Sequence, residues 1–177
     1  MGYNRSEREM GANMNIFYLH SDPKTCASMH CDKHVVKMIL ETAQMLSTAH
    51  HELDGEEAIE GIYRTTHKNH PSNVWVRENY GNYYYAWSLL YYLLKEYGKR
   101  YGKIHATHRL LEPLKTRPKN LDITPTPTEP PQCMPDEYKV EGDSVQAYRN
   151  YYLGEKTFAK WQYTPPPNWW QQEGETA

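Results

Sequence analysis

Residues 30–48, HCDKHVVKMILETAQMLST, hold neither glycine nor proline and are rich in good helix formers. Their apolar members Val35, Val36, Ile39, Leu40, Ala43 and Leu46 recur at helical spacing. That pattern predicts one long helix with a face buried in a core. The opposite stripe is unusual. His30, His34, Lys37, Glu41, Gln44 and Thr48 follow one another at steps of three and four. A solvated helix face ordinarily carries Glu and Lys in i,i+4 pairs. This one strings imidazoles, an amine, a carboxylate, an amide and a hydroxyl along one line. Such a mixed set of acid, base and hydrogen-bonding groups suits the wall of a cleft.

A chain of 177 residues has room for one domain with a real core. Its net charge of −2 provides no global basic field of the kind that advertises nucleic acid. Aromatics are the anomaly, with 16 Tyr and 5 Trp against 2 Phe. Tyr and Trp carry polar handles, so they serve either wet stacking surfaces or a core whose hydroxyls find internal partners. The three cysteines, Cys26, Cys31 and Cys133, are odd in number and form no CxxC pair. Neither a disulfide framework nor a zinc knuckle is indicated, and a reducing compartment is. No apolar run reaches the length of a membrane span and no signal peptide is evident. We therefore expect a cytoplasmic monomer.

Along the chain, residues 1–13 are polar and aperiodic and read as a flexible extension, with Met14 a candidate internal start. Residues 14–177 read as a single compact, mainly α domain. The apolar burst at 15–19 fits a strand or an extended segment. Asp22 followed by Pro23 predicts a short helix over 23–30. The chain should bend at Cys31 and Asp32, with Asp32 capping the main helix, which ends near His50 or His51. Asn69 and His70 precede Pro71, placing them at a helix N-terminus, where free N–H groups favour phosphate. Residues 82–101 form a core helix with Trp87, Leu90, Tyr91, Leu94 and Tyr97 on one side, and a further helix is expected over 103–114. Seven prolines in 113–135 exclude both a helix and a central strand, leaving an extended strap. Asp143 or Ser144 starts a last helix, interrupted at Gly154, and a Pro/Trp tail is pinned by Trp169 or Trp170.

Between Lys95 and Lys119 lie eight Lys or Arg and two acids. This local patch makes Lys99, Arg100, Lys103 and Arg109 candidate contacts to DNA, together with Asn69 and His70. The last helix interleaves aromatic and basic residues and adds Tyr148 and Arg149, with Lys156 and Lys160 beyond them.

Glycine-rich phosphate loops, GxSxG and HExxH are absent. Lys37 and Glu41 lie one helical turn apart. An amine beside a carboxylate is the minimum set for imine chemistry, provided burial or cationic neighbours keep the amine neutral. Two other classes stay open. His30 and His34, at i,i+4, are spaced to share a metal in a hydrolase, with His67, His70, and Glu41 or Asp136 completing the sphere. A non-catalytic nucleic-acid-binding module would use the Tyr, Trp and basic residues alone.

Asp32-Lys33-His34 followed by Glu41 has the spacing D-x-H-x6-E. It resembles the pattern on the first long helix of the pyrimidine-dimer DNA glycosylases, the phage endonuclease V family. Lys37, Glu41 and Gln44 resemble a K-x3-E-x2-Q pattern of broader bacterial relatives. Asn69-His70-Pro71 with Trp75, and the run Glu96-Tyr97-Gly98-Lys99-Arg100, are similar too. The resemblance covers about residues 14–101, with a weaker echo over 148–156. It implies a mainly helical fold that binds double-stranded DNA and flips a nucleotide out of the duplex. It also implies cleavage of a glycosidic bond and strand scission through an imine, without metal or cofactor, in a bacterial or phage-infected cell. By position, the family's catalytic glutamate falls on Glu41, its helix histidine on His34 and its aspartate on Asp32. Lys37 is the amine this sequence places beside them. The family's own nucleophile is a chain-terminal amine, whereas residues 1–13 precede Met14 and Asn15 here. Two family arginines fall on Leu40 and Gln44.

Overall fold

Helical periodicity produces six α-helices among residues 14–170, the residues that the computed structural model describes. They are α1 (Pro23–Met29), α2 (Asp32–Asp54), α3 (Pro71–Val76), α4 (Tyr80–Tyr101), α5 (Leu111–Lys115) and α6 (Ser144–Glu155). The extension expected over 1–13 lies outside the described residues. No strand forms among them, and residues 15–19 run extended through the core. No described helix is long and apolar enough to cross a membrane.

Local chemistry sets most helix ends. Asp22 accepts the N–H of Thr25, and Pro23 opens α1. His30 is the extended residue that closes α1. Cys31, whose side chain makes no capping bond, occupies the N-cap of α2. Asp32 is therefore the first helical residue and not the cap, because its carboxylate is engaged elsewhere by Arg100 and by the N–H of Gln162. Helix α2 continues to Asp54, past the expected end at His50 or His51. There the Asp54 carboxylate accepts the N–H groups of Lys119 and Asn120. Gly102, at φ 65°, ends α4 in the left-handed region. The expected helix over 103–114 is divided. Its first part is a 3-10 turn, Ala106–Leu110, capped by the His105 ring, and only Leu111–Lys115 is α-helical.

Both α1 and α2 pack on α4. Phe17, Leu19, Val35, Ile39, Leu46, Leu90 and Leu93 form the apolar centre. Each such side chain contributes about 1.5–3 kcal/mol on burial. Much of the tyrosine excess also goes inside, where Tyr83, Tyr148, Tyr151 and Tyr152 are fully buried. The Tyr83 hydroxyl donates to the Leu114 carbonyl and meets His50 Nε2. Tyr148 donates to Asn15 Oδ1 and accepts the N–H of Cys133. Internal partners thus settle the two readings of the composition for these residues in favour of a polar-handled core.

The expectation that no part of 113–135 is helical fails at its start, where residues 113–115 lie in α5, because proline is tolerated in the first turn of a helix. From residue 116 on the segment has no regular secondary structure and is tied along its length. Its carbonyls at Asp122 and Thr124 accept the N–H groups of Tyr80 and Gly81, filling free donors at the start of α4. Thr128 exchanges bonds with the Asn82 side chain and receives the Trp75 indole N–H. Glu129 accepts the N–H of Ser144 at the start of α6. Gly81 is required because a Cβ there would sit 2.5 Å from Pro127 N and 2.6 Å from the Pro125 carbonyl oxygen. Both are backbone atoms, which cannot swing aside. Gly81→Ala should therefore lift the strap from α4 and cost about 1–3 kcal/mol. Denaturant unfolding would measure the loss, and limited proteolysis within 118–128 should become faster.

Candidate active site

Helix α2 turns its mixed stripe inward. His30, His34, Glu41 and Thr48 are buried, Gln44 is half-buried, and Lys37 reaches the surface. Val36 and Leu40, expected in the core, are 38% and 40% exposed. The stripe is therefore not an open cleft wall along its length. The apolar face turns because Phe17, from the buried extended segment, stacks on the His34 ring at 4.3 Å between centroids. Tyr152 of α6 bonds His34 Nδ1 at 2.6 Å.

Burial sets the protonation of this face. It pushes His30 down to about 4, helped by the nearby Arg100. It holds His34 well below its ordinary value, and the charges of His30, Lys156 and Lys37 add to the effect. Both rings are neutral near pH 7 and lend no positive charge to their neighbours. Glu41 goes the other way. Burial pushes its carboxyl up to about 8, and Lys37 offsets only part of that. Lys37 Nζ lies 4.0 Å from Glu41 Oε1, while Glu41 Oε2 has no hydrogen-bond partner. A carboxylic acid that keeps its proton near neutrality, one turn from an amine at the surface, is equipped to donate that proton.

A second amine lies close by. Lys156, which ends α6, is buried, with Nζ 4.4 Å from the Tyr151 ring centroid and 5.6 Å from that of Phe17. Burial lowers its pKa and the charge of Lys37 lowers it further. Lys37 also lines a groove of about 750 Å³ with Lys33, Tyr101, Phe158 and Lys160. Lys33, Tyr101 and Phe158 are site residues that the sequence reading missed. Lys33 was detectable from its place on the same helix. Phe158 and Tyr101 reach the groove only through tertiary contacts.

Several expected contacts to DNA or substrate are placed elsewhere. Arg100 is buried, its guanidinium bonded to the Ser28 and His30 carbonyls and paired with Asp32 and Glu96 at 3.2 Å each. Tyr148 is fully buried in the Asn15 network. Arg149 donates to the Leu19 carbonyl and lies over Trp169. His70 is buried and accepts the N–H of Ser72 as the cap of α3. Asn69, Lys99 and Lys103 are exposed, as is Arg109, which donates to the Gly61 carbonyl. Asp32 lines the groove, but its oxygens serve Arg100 and Gln162.

The His30 and His34 pair gains no third ligand. Among the described residues no three His, Cys, Asp or Glu side chains converge to hold a metal ion. The Nδ1 atoms of His30 and His34 already face the Cys26 carbonyl and Tyr152. Comparison of the chain with protein-family models, curated proteins and solved structures returns no match.

The raised Glu41 carboxyl couples stability to pH. Between its ordinary value of 4.5 and about 8, the folded chain keeps a proton that the unfolded chain releases. Stability contributed by this group is full below 4.5 and is lost as pH rises through about 8. Glu41→Gln removes that loss. The variant should match the parent in thermal stability near pH 5 and exceed it by a few kcal/mol at pH 8. The buried histidines are common to both proteins and cancel in the difference. An unchanged gap across this range would show that Glu41 is ionised in the fold.

Proposed function

We propose that this chain is a DNA N-glycosylase whose reaction centre is Glu41 with Lys37. The observation that carries the reading is the buried Glu41 carboxyl beside the surface amine of Lys37. Protonated near neutrality, Glu41 acts first as the acid that releases the base. Lys37 first gives a proton to water at the surface, and its free amine Nζ then attacks C1′ of the deoxyribose; the C1′–N bond breaks, and the base leaves with the bonding pair and the Glu41 proton. The new carboxylate takes the proton shed by the attached amine and returns it to O4′ as the C1′–O4′ bond opens. An imine between Lys37 and the sugar remains, and the carboxylate next to it stabilises its positive charge. Strand scission follows from that imine. Family resemblance at Asp32, His34 and Glu41 supports the same reaction class. In this chain, however, His34 and Asp32 act as positioning residues: His34 is stacked and hydrogen-bonded inside, and Asp32 is ion-paired.

The test uses duplexes carrying different base lesions, with and without borohydride. Glu41→Gln should keep the fold and DNA binding while base release falls by about two to four orders of magnitude. Borohydride should trap the parent on DNA, and Lys37→Met should abolish trapping. Trapping that survives in Lys37→Met and disappears in Lys156→Met would move the amine to Lys156. Full base release by Glu41→Gln, or no release from any lesion, would overturn the reading.

A further inference from the structure

The groove beside Lys37 has a composition that the Glu41 chemistry does not explain. Its volume, about 750 Å³, falls within the range of about 300–1,000 Å³ common for small-ligand sites. Three lysines line it: Lys33 and Lys37 from α2, and Lys160 from the segment after α6. Asp32 is the one carboxylate in the lining, and it is already neutralised by Arg100 at 3.2 Å and by the Gln162 N–H at 2.7 Å. Lys33 and Lys160 therefore add positive charge to the groove with no second carboxylate in its lining, in a chain whose net charge is −2.

Its apolar element is also particular. Phe158 is one of only two phenylalanines in the sequence and is 42% exposed. The ring is held by a T-shaped contact with the buried His34 ring at 5.6 Å, and Lys33 Nζ lies over one of its faces, 5.1 Å from the centroid, where an entering base would displace it toward the flanking phosphate. Across the groove, Tyr101 is fixed by its hydroxyl on the Asp32 carbonyl and by an edge contact with Tyr163. The backbone between these walls is tied as well, because the Asp32 N–H donates to the Lys160 carbonyl at 2.9 Å. A rigid, partly exposed ring framed by lysines presents a stacking face to a base and cations to the phosphates on either side.

We infer that this groove binds one unpaired nucleotide of a DNA strand, with its base on Phe158 and the flanking phosphates on Lys33 and Lys160. The inference rests on the glycosylase reading for the identity of the strand and adds a substrate preference. Stacking on Phe158 needs a base that is out of its duplex stack. The protein therefore favours single-stranded DNA, or a duplex with an unpaired base, over fully paired duplex. Lys37 lines the groove, so a nucleotide held here lies against the amine that pairs with the buried Glu41.

The test is equilibrium binding by the full chain carrying Glu41→Gln, which keeps turnover out of the readout. Three oligonucleotides are compared: a single strand, a duplex with one unpaired 2-aminopurine, and the fully paired duplex. The first two should bind about ten-fold or more tightly than the third, and 2-aminopurine emission should be quenched by stacking. Phe158→Ala should remove the preference and the quenching while leaving binding to paired duplex unchanged. Phe158→Trp should restore both, which separates stacking from a folding defect. Replacing Lys33 and Lys160 with Gln should lower the slope of log K against log salt by about two. Equal affinity for all three oligonucleotides, or quenching that survives Phe158→Ala, would overturn the inference. These outcomes are independent of base release, so failure of the glycosylase reading shows in a different assay.

Discussion

The Arg100 guanidinium is the interaction on which the rest of the architecture depends. From the last turn of α4 it accounts for two carbonyls, Ser28 and His30, at the junction of α1 and α2. It also pairs with Asp32 and Glu96. A buried charge of this kind is costly unless it is paired and hydrogen-bonded. Both terminal nitrogens are so engaged, while Nε has no partner among the described residues, and the carbonyls they hold lie just before the bend at Cys31. That bend aims α2, and through Asp32 it also anchors the segment that carries Lys160 and Gln162. The geometry of the groove thus follows from an ion pair lying beneath it. Loss of this guanidinium would take a donor from Glu96 and from two carbonyls, and would leave Asp32 with the Gln162 N–H.

A second constraint comes from polar groups inside a small core. Asn15 is fully buried, bonds the Cys133 carbonyl and receives Tyr148. Tyr83 and Tyr152 bring their hydroxyls to His50 and His34. These pairs let large rings fill the interior without stranding a hydroxyl, and each pair has a geometry that an apolar substitute would not specify. Carbonyls of the proline-rich strap complete the set by capping α4, and Thr128 closes on the Asn82 side chain through its N–H and hydroxyl. Proline itself donates nothing. The strap works because its carbonyls and threonines do the bonding.

The candidate site exploits the opposite of satisfaction. Glu41 is buried with one oxygen lacking a partner among the described residues, and it faces an amine rather than a guanidinium. That environment costs stability above the ordinary carboxylate range and holds a proton where donation near neutrality is useful. His30 and His34, alongside it, are neutral and hydrogen-bonded, so they shape the wall without adding charge.

From the sequence alone, the periodicity of residues 30–48 and 82–101 determined two long helices and a mainly α fold. Asp22-Pro23, His70-Pro71 and Asp143 marked helix starts, because capping is chemistry between near neighbours. The prolines after Pro113 determined an extended segment for the same local reason, whereas Pro113 falls in the first turn of α5. Glu41 and Lys37 were legible as a pair, since one turn of helix fixes their spacing. Tertiary structure decided which face of α2 points inward. Val36 and Leu40 came out and His34 went in, because Phe17 and Tyr152 offered the imidazole a stack and a bond that α2 does not encode. It also decided that Arg100 and Tyr148 are internal, since a basic or tyrosyl side chain reads the same in a sequence whether its partner is a phosphate or a buried carbonyl. The groove joins Lys33, Tyr101 and Phe158 across more than half the chain, and no local pattern carries a contact of that range.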